Sequence, residues 1–440
     1  MFRPTGFADL AGKRVGIFGF GVEGRAAAAR LDGLSDLVIV DDDEGLGEPV
    51  LATAHGGLEA LHTCDVVLKS PGIPRRRSDI LALEESGVTV TSALNLWLHD
   101  TDLQRVVAIT GTKGKSTTTA LITFFLRCVD QPAQRLGNIG QPPYDPSIDT
   151  STGWLVLEVS SFQVVDVDVA PRLVVVTSLG EDHIDWHGSL EQYRSDKLSL
   201  TRAPGAHRTL AADTPTLHEH ESEIGGELTY VRSDIEHLAA TLGLIGEHND
   251  SNVALALAAV EALTGVDERA LRAAAVARAE EFVPLQGRLT LVARESINGA
   301  VVSYVDDGLA TSVLPTLAAL DVFSDEPVAL IAGGFDRGVD YGELAEALCE
   351  RVPFTTLITI GNAGLRISAE VRQRRPDLAQ RSAATMPEAV RLARASLDAG
   401  GVVLLSPAAP SFDQYHNWEE RSADFTRVVR SLVSPSTTSE

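Results

Sequence analysis

The chain alternates short, almost wholly apolar runs with longer stretches of helical periodicity. Runs such as 173–176 (LVVV) and 402–405 (VVLL) show no polar alternation, which is typical of parallel strands buried on both faces. Runs of this kind end in Gly, in Ser-Pro or in polar residues. The pattern predicts an α/β fold with parallel sheets, whose ligand loops lie at the carboxyl ends of the strands.

The 440 residues exceed what a single hydrophobic core usually serves. We expect a Rossmann-like domain over residues 1–102, a central domain with a phosphate loop and a parallel sheet over 103–285, and a second Rossmann-like domain over 286–440. The first segment carries Gly19, Gly21 and Gly24 as G-x-G-x-x-G after a strand, and Asp41 ends the next strand. This motif predicts binding of a phosphate or pyrophosphate group, although it is a weak signal when it stands alone.

A Gly-rich turn between the apolar run 107–110 and a helical stretch is the strongest chemical signal. The backbone N–H groups of such a turn, with the positive end of the helix, can cradle phosphates. Lys115 would reach the terminal phosphates, and the Ser116 hydroxyl would hold Mg²⁺. Only two residues separate Gly111 from Gly114, whereas the general phosphate-loop pattern has four. The alternative interpretation is a turn that binds no ligand. Nucleoside triphosphate binding is thus predicted for Gly111, Thr112, Lys113, Gly114, Lys115, Ser116 and Thr117.

The chain is acidic, with 61 Asp and Glu against 37 Lys and Arg and a formal net charge of -24. That balance argues against nucleic acid or an anionic membrane surface as the main partner. The cysteines Cys64, Cys128 and Cys349 are scattered in apolar contexts, as expected in a reducing compartment. The N-terminus lacks a basic start with an apolar signal core, and no apolar run is long enough to span a bilayer. We therefore expect a cytoplasmic protein.

Two predicted strand ends carry groups that can bind metal ions. Glu158 is an acid inside an apolar run, and a buried carboxylate needs a cation or hydrogen-bond donors. His183 lies in a turn rich in acids and histidines, directly after another strand. Mg²⁺ prefers few protein ligands together with phosphate oxygens and water, so Ser116, Glu158 and His183 would suit it if the fold brings them together. The alternatives are a carboxylate paired with a structural Arg or Lys, and a polar turn that caps the next helix.

Five motifs occur in an order that resembles the Mur ligase family, whose members add amino acids to the nucleotide-linked peptidoglycan precursor. They are residues 110–116 (TGTKGKS), Glu158-x-Ser160-Ser161-x-Gln163, Asp182-His183-x-Asp185, His248-Asn249-x-x-Asn252 and Gly287-Arg288. The resemblance covers nearly the whole chain, including the three-domain plan, and the shortened phosphate loop is a mark of this family. It implies a ligase that uses ATP and two Mg²⁺ ions.

The resemblance also implies which residues contact ATP. Lys115 and Arg288 would contact the phosphates and act in catalysis, while Asn252 and Asp307 would contact the nucleoside. In the implied reaction, ATP converts the terminal carboxylate of the nucleotide substrate into an acyl phosphate. The amine of an amino acid then attacks that carbonyl and phosphate leaves.

The implied metal sites involve two of the predicted strand ends. Ser116 and Glu158 would hold one Mg²⁺, and His183, a catalytic residue in this scheme, would ligate the second. Lys197 matches the position that CO₂ carbamylates in the family, where it serves catalysis and the metal. A carbamate requires an amine that is neutral part of the time, so the pKa of Lys197 must be depressed. Without the resemblance, Lys197 would be interpreted as a solvated helix lysine.

The uridine nucleotide substrate would contact residues near two strand ends. The implied set is the turn Ser70, Pro71 and Gly72, together with Asn138 and Gln163.

The C-terminal segment resembles the glutamate-adding branch of the family. Residues 406–413 (SPAAPSFD) correspond to that branch's serine- and phenylalanine-bearing loop. Ser411 and Phe412 would grip the side-chain carboxylate of glutamate. Thr311 and Arg337 would lie near its other carboxylate.

Two departures from the usual D-glutamate enzymes bear on stereochemistry. Those enzymes carry Asp-Ser-Lys-Ala-Thr-Asn where residues 307–312 read DGLATS, and Lys-Gly where residues 337–338 read RG. Leu309 stands where those enzymes carry a lysine, so a positive charge is absent. Arg337 replaces the other lysine and offers a planar guanidinium in place of a point charge. These variants resemble a sister group that adds L-glutamate. We hypothesise UDP-N-acetylmuramoyl-L-alanine and L-glutamate as substrates of a monomeric enzyme, with D-glutamate in the same reaction as the alternative.

Two other classes of function stay open at this point. The glycines of the first segment with Asp41 also suit a dinucleotide-dependent oxidoreductase, which would leave the phosphate loop unexplained. A regulatory nucleoside triphosphatase would hydrolyse ATP without needing an amino acid.

Overall fold

The first of three sheets is parallel and five-stranded. A computed structural model describes residues 2–139, 141–234, 236–297 and 299–433. The strands are β1 (Arg14–Phe18), β2 (Asp36–Asp41), β3 (Val50–Ala52), β4 (Val66–Lys69) and β5 (Thr89–Thr91). Their helices are α1 (Val22–Leu31), α2 (Gly57–Leu61), α3 (Ser78–Glu85) and α4 (Ala93–Asp100). The strand order is β3-β2-β1-β4-β5, so β2 and β3 lie on one side of β1, and β4 and β5 lie on the other. The turns after β1 and β4 therefore face one crevice.

The second sheet has six parallel strands in the order β11-β10-β9-β6-β8-β7. The strands are β6 (Val106–Thr110), β7 (Ala133–Gly137), β8 (Trp154–Glu158), β9 (Leu173–Val176), β10 (Arg208–Ala212) and β11 (Glu227–Val231). The helices are α5 (Lys115–Cys128), α6 (Ser161–Val164), α7 (Ile184–His187), α8 (Leu190–Arg202), α9 (Pro215–Glu219), α10 (Leu238–Thr241), α11 (His248–Thr264) and α12 (Glu268–Ala277). Strand β6 lies between β8 and β9, so the three strand ends that carry predicted site residues are neighbours.

The third sheet has the order β12-β13-β17-β14-β15-β16, and only its edge strand β12 runs antiparallel among the pairs described. The strands are β12 (Thr290–Ile297), β13 (Ala300–Asp306), β14 (Val328–Gly333), β15 (Thr355–Ile360), β16 (Ala379–Ser382) and β17 (Gly401–Leu405). The helices are α13 (Val313–Val322), α14 (Gly342–Glu350), α15 (Gly361–Arg374), α16 (Met386–Ala395) and α17 (Trp418–Val433).

The third sheet shows why its strands are apolar without alternation. Leu330 and Leu404 pack with helices α13 to α15, whereas their neighbours Ile331 and Leu405 pack with α16 and α17. Successive side chains point to opposite faces of a strand, so a strand covered on both faces needs apolar residues at every position. The predicted α/β class with parallel sheets is confirmed.

Compactness divides the chain into two units. The first comprises Met1–Leu238 and Asp250–Ala279, and the second comprises Ala239–Asn249 and Glu280–Glu440. The first two sheets belong to the first unit and the third sheet to the second. The boundary expected between residues 102 and 103 lies inside the first unit, and the three-domain division stays a prediction. Among the described helices, none combines the length and the apolar composition needed to cross a bilayer.

The glycine motif of the first sheet offers a test of its packing. A Cβ atom at Gly24 would overlap the backbone carbonyl of Gly19, whereas a Cβ atom at Gly21 would meet no atom within 4 Å. We expect Gly24→Ala to lower the free energy of unfolding by about 1–3 kcal/mol, because backbone must move to admit the methyl group. Gly21→Ala is the matched control and should unfold like the wild type. Scanning calorimetry compares the two, and equal unfolding temperatures for both variants would contradict this packing.

Candidate active site

The phosphate loop joins the end of β6 to the start of α5. Gly111 has φ 142° and Gly114 has φ 87°, a backbone region that favours glycine. A Cβ atom at Gly111 would overlap the Thr177 hydroxyl, and one at Gly114 would overlap the Asn252 side chain. Asn252 also accepts a hydrogen bond from the Thr118 hydroxyl at 3.2 Å. The two glycines thus let the loop pack tightly against the end of β9 and against α11.

The side chains of the loop fold back over it. The Lys115 amine donates to the carbonyls of Gly111 (2.9 Å) and Thr112 (3.1 Å). Ser116 is buried in the first turn of α5, and Thr117 beside it is half-buried. Lys113 is exposed, and its amine lies 3.4 Å from a carboxylate oxygen of Asp182.

Glu158 ends β8 beside β6, where it pairs in register with Ile109. Its carboxylate is 1% exposed, and Oε1 accepts a hydrogen bond from the Asn138 amide at 2.8 Å. Within the part of the chain that the structure describes, Oε2 has no hydrogen-bond partner. A buried carboxylate oxygen without a donor is costly unless a cation neutralises it. The Glu158 environment therefore suits a divalent cation better than the alternative of a structural ion pair.

No group of three or more His, Cys, Asp or Glu side chains among the described residues is arranged to hold a metal ion. The predicted set of a hydroxyl, a carboxylate and one imidazole does not need such a group. Mg²⁺ characteristically takes few protein ligands and completes its octahedron with phosphate oxygens and water. The donor set of Ser116 and Glu158 fits that preference.

His183 precedes α7 with a positive φ of 50°. Its ring lies 4.6 Å from the ring of Phe162, and its side chain is half exposed. It makes no side-chain hydrogen bond to the helix start, so the His183 side chain does not cap α7. Burial lowers the pKa of His183 below its usual value, the charges of Lys113 and Lys197 lower it further, and Asp182 opposes them. The neutral imidazole that results is the form that ligates metals.

Lys197 lies in α8 and is 1% exposed, so it is not a solvated helix lysine. Its amine donates to the carbonyl of Gly111 at 2.9 Å and lies 4.8 Å from the ring centroid of Tyr193. Burial lowers the pKa of Lys197 well below its usual value, and the charge of Lys115 adds to this effect. The amine is therefore poised to be neutral, which is the chemical requirement for a carbamate.

The turn after β4 faces loops of the second sheet within the first unit. The Ser70 hydroxyl donates to the carbonyl of Gly19 at 2.6 Å, and the Gly72 carbonyl accepts from the Trp186 indole at 3.0 Å. Ser160 and Gln163 cap the start of α6 reciprocally. The Gln163 amide also donates to Glu23 at 2.6 Å. Of the implied substrate set, the structure thus brings Gly72 and Gln163 into a network of contacts between the two sheets of the first unit, while Ser70 bonds within its own sheet and Asn138 bonds to Glu158. Pro71 lies in the same turn as Ser70 and Gly72.

Several residues of this network were missed by the sequence analysis. The Lys69 amine and the Asp166 carboxylate form a buried ion pair at 2.7 Å, and Tyr144 donates to Glu23 at 2.8 Å. The only sequence signal was a lysine at the end of an apolar run, which by itself suggests no partner. Partners such as Glu23 and Gln163 are 140 residues apart in the chain, because they belong to different sheets.

Asp41 bears on the oxidoreductase alternative. Its carboxylate accepts hydrogen bonds from the backbone N–H groups of Phe20 and Asp43. In a dinucleotide site the acid at this position receives ribose hydroxyls. Here the carboxylate supports the glycine turn of its own chain, which disfavours the oxidoreductase.

In the second unit, the end of β13 carries two buried acids. Asp307 accepts hydrogen bonds from the Ser406 hydroxyl at 2.7 Å and from the Leu289 backbone at 3.3 Å. Burial raises the pKa of Asp307 to about 7, and the charge of Arg288 acts against this rise. Asp306 accepts from Gly308 and from the Ser422 hydroxyl, each at 2.9 Å. The hydrogen bond from the Leu289 backbone brings the segment that carries Arg288 beside Asp307.

The residues expected near glutamate lie in loops after β13, β14 and β17. The Arg337 guanidinium lies 5.8 Å from the ring centroid of Phe412, which is 58% exposed. Ser411 is buried, and Thr311 is half-buried. The structure brings Arg337 and Phe412 together, while none of its contacts joins Thr311 to them among the described residues.

A buried arginine that sequence reasoning missed connects two of these loops. Arg421 in α17 is 1% exposed and donates to the carbonyls of Ala409 (2.9 Å) and Gly308 (3.0 Å). Burial lowers the pKa of Arg421 to about 10 despite the opposing charge of Asp413. An arginine in a helix with many charged residues has no sequence signal of burial, so only the packing reveals this link.

Comparison with known proteins places these features in a family context. A profile of the Mur ligase middle domain matches residues 109–223. A UDP-N-acetylmuramoyl-L-alanine--L-glutamate ligase of Salinispora tropica is 38% identical, over 96% of this chain and 98% of that protein. Proteins of the same name from Micromonospora sp. and Xanthomonas axonopodis pv. citri are 39% and 36% identical, each over 96% of this chain and over 98% and 96% of their own lengths.

A solved structure with a similar fold is the UDP-N-acetylmuramate-alanine ligase of Thermotoga maritima. It aligns with 96% of this chain and 100% of its own, with a TM-score of 0.53 and 18% identity. A pseudomurein peptide ligase type C of Methanothermus fervidus aligns with 96% of this chain and 100% of its own, at a TM-score of 0.54 and 14% identity. Both comparisons show the fold alone.

The depressed pKa of Lys197 predicts a pH dependence of stability. The unfolded chain holds the Lys197 proton up to about pH 10.4, whereas the folded protein releases it at lower pH. Between the two pKa values, the free energy of unfolding of the wild type should rise with pH by up to about 1.4 kcal/mol per pH unit from this residue. Lys197→Met lacks this contribution, so its stability relative to the wild type should fall as pH rises towards about 10.

Urea unfolding in CO₂-free buffer at several pH values measures the difference between wild type and Lys197→Met. Lys113→Met, which replaces an exposed lysine of the same site, is the matched control. A difference between wild type and Lys197→Met that does not vary with pH would show that the amine is charged in the folded protein.

Proposed function

The chain belongs to the Mur ligase family, and from this we propose that it is an ATP-dependent ligase that joins L-glutamate to UDP-N-acetylmuramoyl-L-alanine. The observation that carries the proposal is the buried arrangement at the phosphate loop. Two lysine amines contact the Gly111 carbonyl, and the Glu158 carboxylate ends the strand beside it. Relatives that align with 96% of the chain and bear the L-glutamate ligase name support the choice of substrates.

The chemistry follows from the weakness of a carboxylate as an electrophile. Transfer of the ATP γ-phosphoryl group converts the alanyl carboxylate into an acyl phosphate, and the amine of glutamate then attacks the carbonyl carbon. The tetrahedral intermediate collapses with loss of inorganic phosphate, and the amine gives up a proton as the peptide bond forms. Lys115 and the backbone N–H groups of the loop stabilise negative charge on the phosphoryl oxygens, which is the dominant contribution in phosphoryl transfer.

The site residues have distinct tasks in this proposal. Ser116 and Glu158 would hold Mg²⁺, which when bound screens the charge of the phosphates. Asn138 would orient the Glu158 carboxylate through the hydrogen bond to Oε1. His183 and a carbamylated Lys197 would serve a second ion.

The proposal also assigns residues that would contact ATP. Gly111 to Thr117 would surround the phosphates, Asn252 and Asp307 would contact the nucleoside, and Arg288 the phosphates. The burial of Asn252 against Gly114 supports its share in the site.

Substrate recognition is assigned to two sets of residues. Ser70, Pro71, Gly72, Asn138 and Gln163 would contact the uridine nucleotide, and the contacts of Gly72 and Gln163 across the two sheets of the first unit support a shared role.

Glutamate would contact Thr311, Arg337, Ser411 and Phe412. The neighbouring positions of Arg337 and Phe412 support recognition of a carboxylate beside an apolar surface. We further propose that the enzyme acts as a monomer in the cytoplasm, with no nucleic acid partner.

The choice between glutamate enantiomers is the first test. Incubation with ATP, Mg²⁺, UDP-N-acetylmuramoyl-L-alanine and either enantiomer should give faster ADP formation and faster peptide formation with L-glutamate. Phosphate release should require both the nucleotide substrate and glutamate, because the acyl phosphate must be formed and then attacked. Faster ligation of D-glutamate would overturn the L-glutamate assignment, and ATP hydrolysis that needs no amino acid would favour a regulatory triphosphatase.

Replacement of Glu158 tests the metal site. Glu158→Gln keeps the size of the side chain but removes the charge that would hold Mg²⁺, so kcat should fall by about 100-fold or more, an effect of about 3 kcal/mol on the barrier. The Mg²⁺ concentration for half-maximal activity should rise. Glu227→Gln, at an exposed position of the edge strand β11, is the matched control. Unchanged kcat and Mg²⁺ dependence in Glu158→Gln would remove Glu158 from the site.

A further inference from the structure

A chain of side-chain hydrogen bonds links three segments of the first unit that carry proposed site residues. It begins at Arg76, four residues after the Ser70-Pro71-Gly72 turn, and reaches Asp196, the neighbour of Lys197 in α8. It continues to His187, the last residue of α7, and ends at Ser161, the first residue of α6. None of these four side chains has a role in the proposed reaction so far.

The hydrogen bonds of this chain are all 3.1 Å or shorter, and one of its contacts is bidentate. Both terminal nitrogens of Arg76 donate to Asp196, each at 3.1 Å, in a bidentate pair. His187 Nδ1 lies 2.8 Å from Oδ2 of Asp196, and its Nε2 lies 3.1 Å from the Ser161 hydroxyl. The Gln192 amide completes the shell of Asp196 at 2.7 Å.

Two of the side chains in this chain of hydrogen bonds are buried, so each of their hydrogen bonds matters for stability. His187 is 2% and Asp196 is 7% exposed, whereas about half of the Arg76 side chain is exposed. Burial by itself would raise the pKa of Asp196, but hydrogen bonds from His187, Arg76 and Gln192 outweigh it, and the pKa lies below its usual value. Loss of one donor therefore leaves a buried carboxylate with incomplete compensation.

A second contact fixes α7 on the same turn. The Trp186 indole donates to the Gly72 carbonyl, and the His187 ring stacks on Phe162 with centroids 5.7 Å apart. Helix α7 thus meets the turn after β4 directly through Trp186 and indirectly through His187 and Asp196. These contacts hold the turn in register with the middle of α8, where Asp196 lies.

We propose that Arg76 and Asp196 are positioning residues, which hold the uridine-nucleotide turn in register with the helix that presents Lys197. This proposal rests on the proposed function. Asp196 and Lys197 are consecutive in α8, so a shift of the Asp196 anchor moves the backbone from which the Lys197 amine reaches the Gly111 carbonyl. The ion pair couples the place where the nucleotide binds to the place where charge is stabilised.

The test compares Arg76→Gln, Asp196→Asn and the double variant with the wild type. For each protein, kcat and the KM values for UDP-N-acetylmuramoyl-L-alanine and for ATP are measured with L-glutamate, together with the unfolding temperature. Arg14→Gln is the matched control, because it removes an exposed pair with Asp36 on the amino end of the same sheet.

Arg76→Gln should raise the KM for the nucleotide substrate by about 5- to 10-fold with little change in kcat, the signature of lost binding without lost transition-state stabilisation. Asp196→Asn should raise the same KM and also lower kcat, since it releases α8 itself. The double variant should show the KM of Asp196→Asn rather than the product of the two effects, because both changes break one interaction. Arg76→Lys, which keeps the charge but not the fork, should lie between wild type and Arg76→Gln.

Additive effects on KM would overturn the proposal, and so would variants that differ from the wild type only in unfolding temperature. If the wild type shows no glutamate-dependent turnover, the proposed function fails independently of the ion pair. Calorimetric titration with UDP-N-acetylmuramoyl-L-alanine then decides on the pair, since Arg76→Gln should weaken binding and Arg14→Gln should not. A nucleotide affinity unchanged in Arg76→Gln would refute the positioning role.

Discussion

Two lysine amines converge on one backbone oxygen, the carbonyl of Gly111, and the arrangement of the candidate site depends on this contact. Lys115 comes from the phosphate loop itself and Lys197 from α8, and each amine lies 2.9 Å from the oxygen. Two ammonium groups at one carbonyl repel each other, so the more deeply buried amine loses its proton more readily. Lys197 is that amine. In the proposed function, Lys115 would serve as the cation for phosphate and Lys197 as the neutral amine.

The two amines can meet at this carbonyl only because the loop backbone packs closely against its neighbours, which a side chain on the loop glycine would prevent. A Cβ atom at Gly111 would overlap the end of β9, so the loop can approach that strand only with glycine at this position. The strands β9 and β8 flank β6. The loop, Glu158 and the turn leading to His183 therefore lie together at the edge of the sheet where these strands end. Strands buried on both faces hold this edge rigidly, because neither face can shift without disturbing packed helices.

Buried polar side chains join the loops in both units. In the first unit, the buried Asp196 and His187, together with the half-exposed Arg76, connect segments that lie far apart in sequence. In the second unit, Arg421 connects the loop after β13 with the loop after β17. Such links cost desolvation energy and are stable only when nearly every donor and acceptor has a partner. These links fix the positions of the loops. The proposed recognition of charged substrates requires loops that are fixed in this way.

Local patterns determined much of this protein from the sequence alone. Uninterrupted apolar runs predicted buried parallel strands, since such strands need apolar residues at every position, and the glycine spacing of residues 111–114 located the phosphate loop. The positions of Lys115, Ser116 and Glu158 at or beside strand ends followed from the same periodicity. Tertiary structure alone decided the burial of Lys197, the open Oε2 of Glu158 and the partners of Asp196, Gln163 and Arg421. These features depend on strand order and on contacts between residues tens to more than a hundred positions apart, and a charged residue carries no local mark that distinguishes a solvated side chain from a buried one.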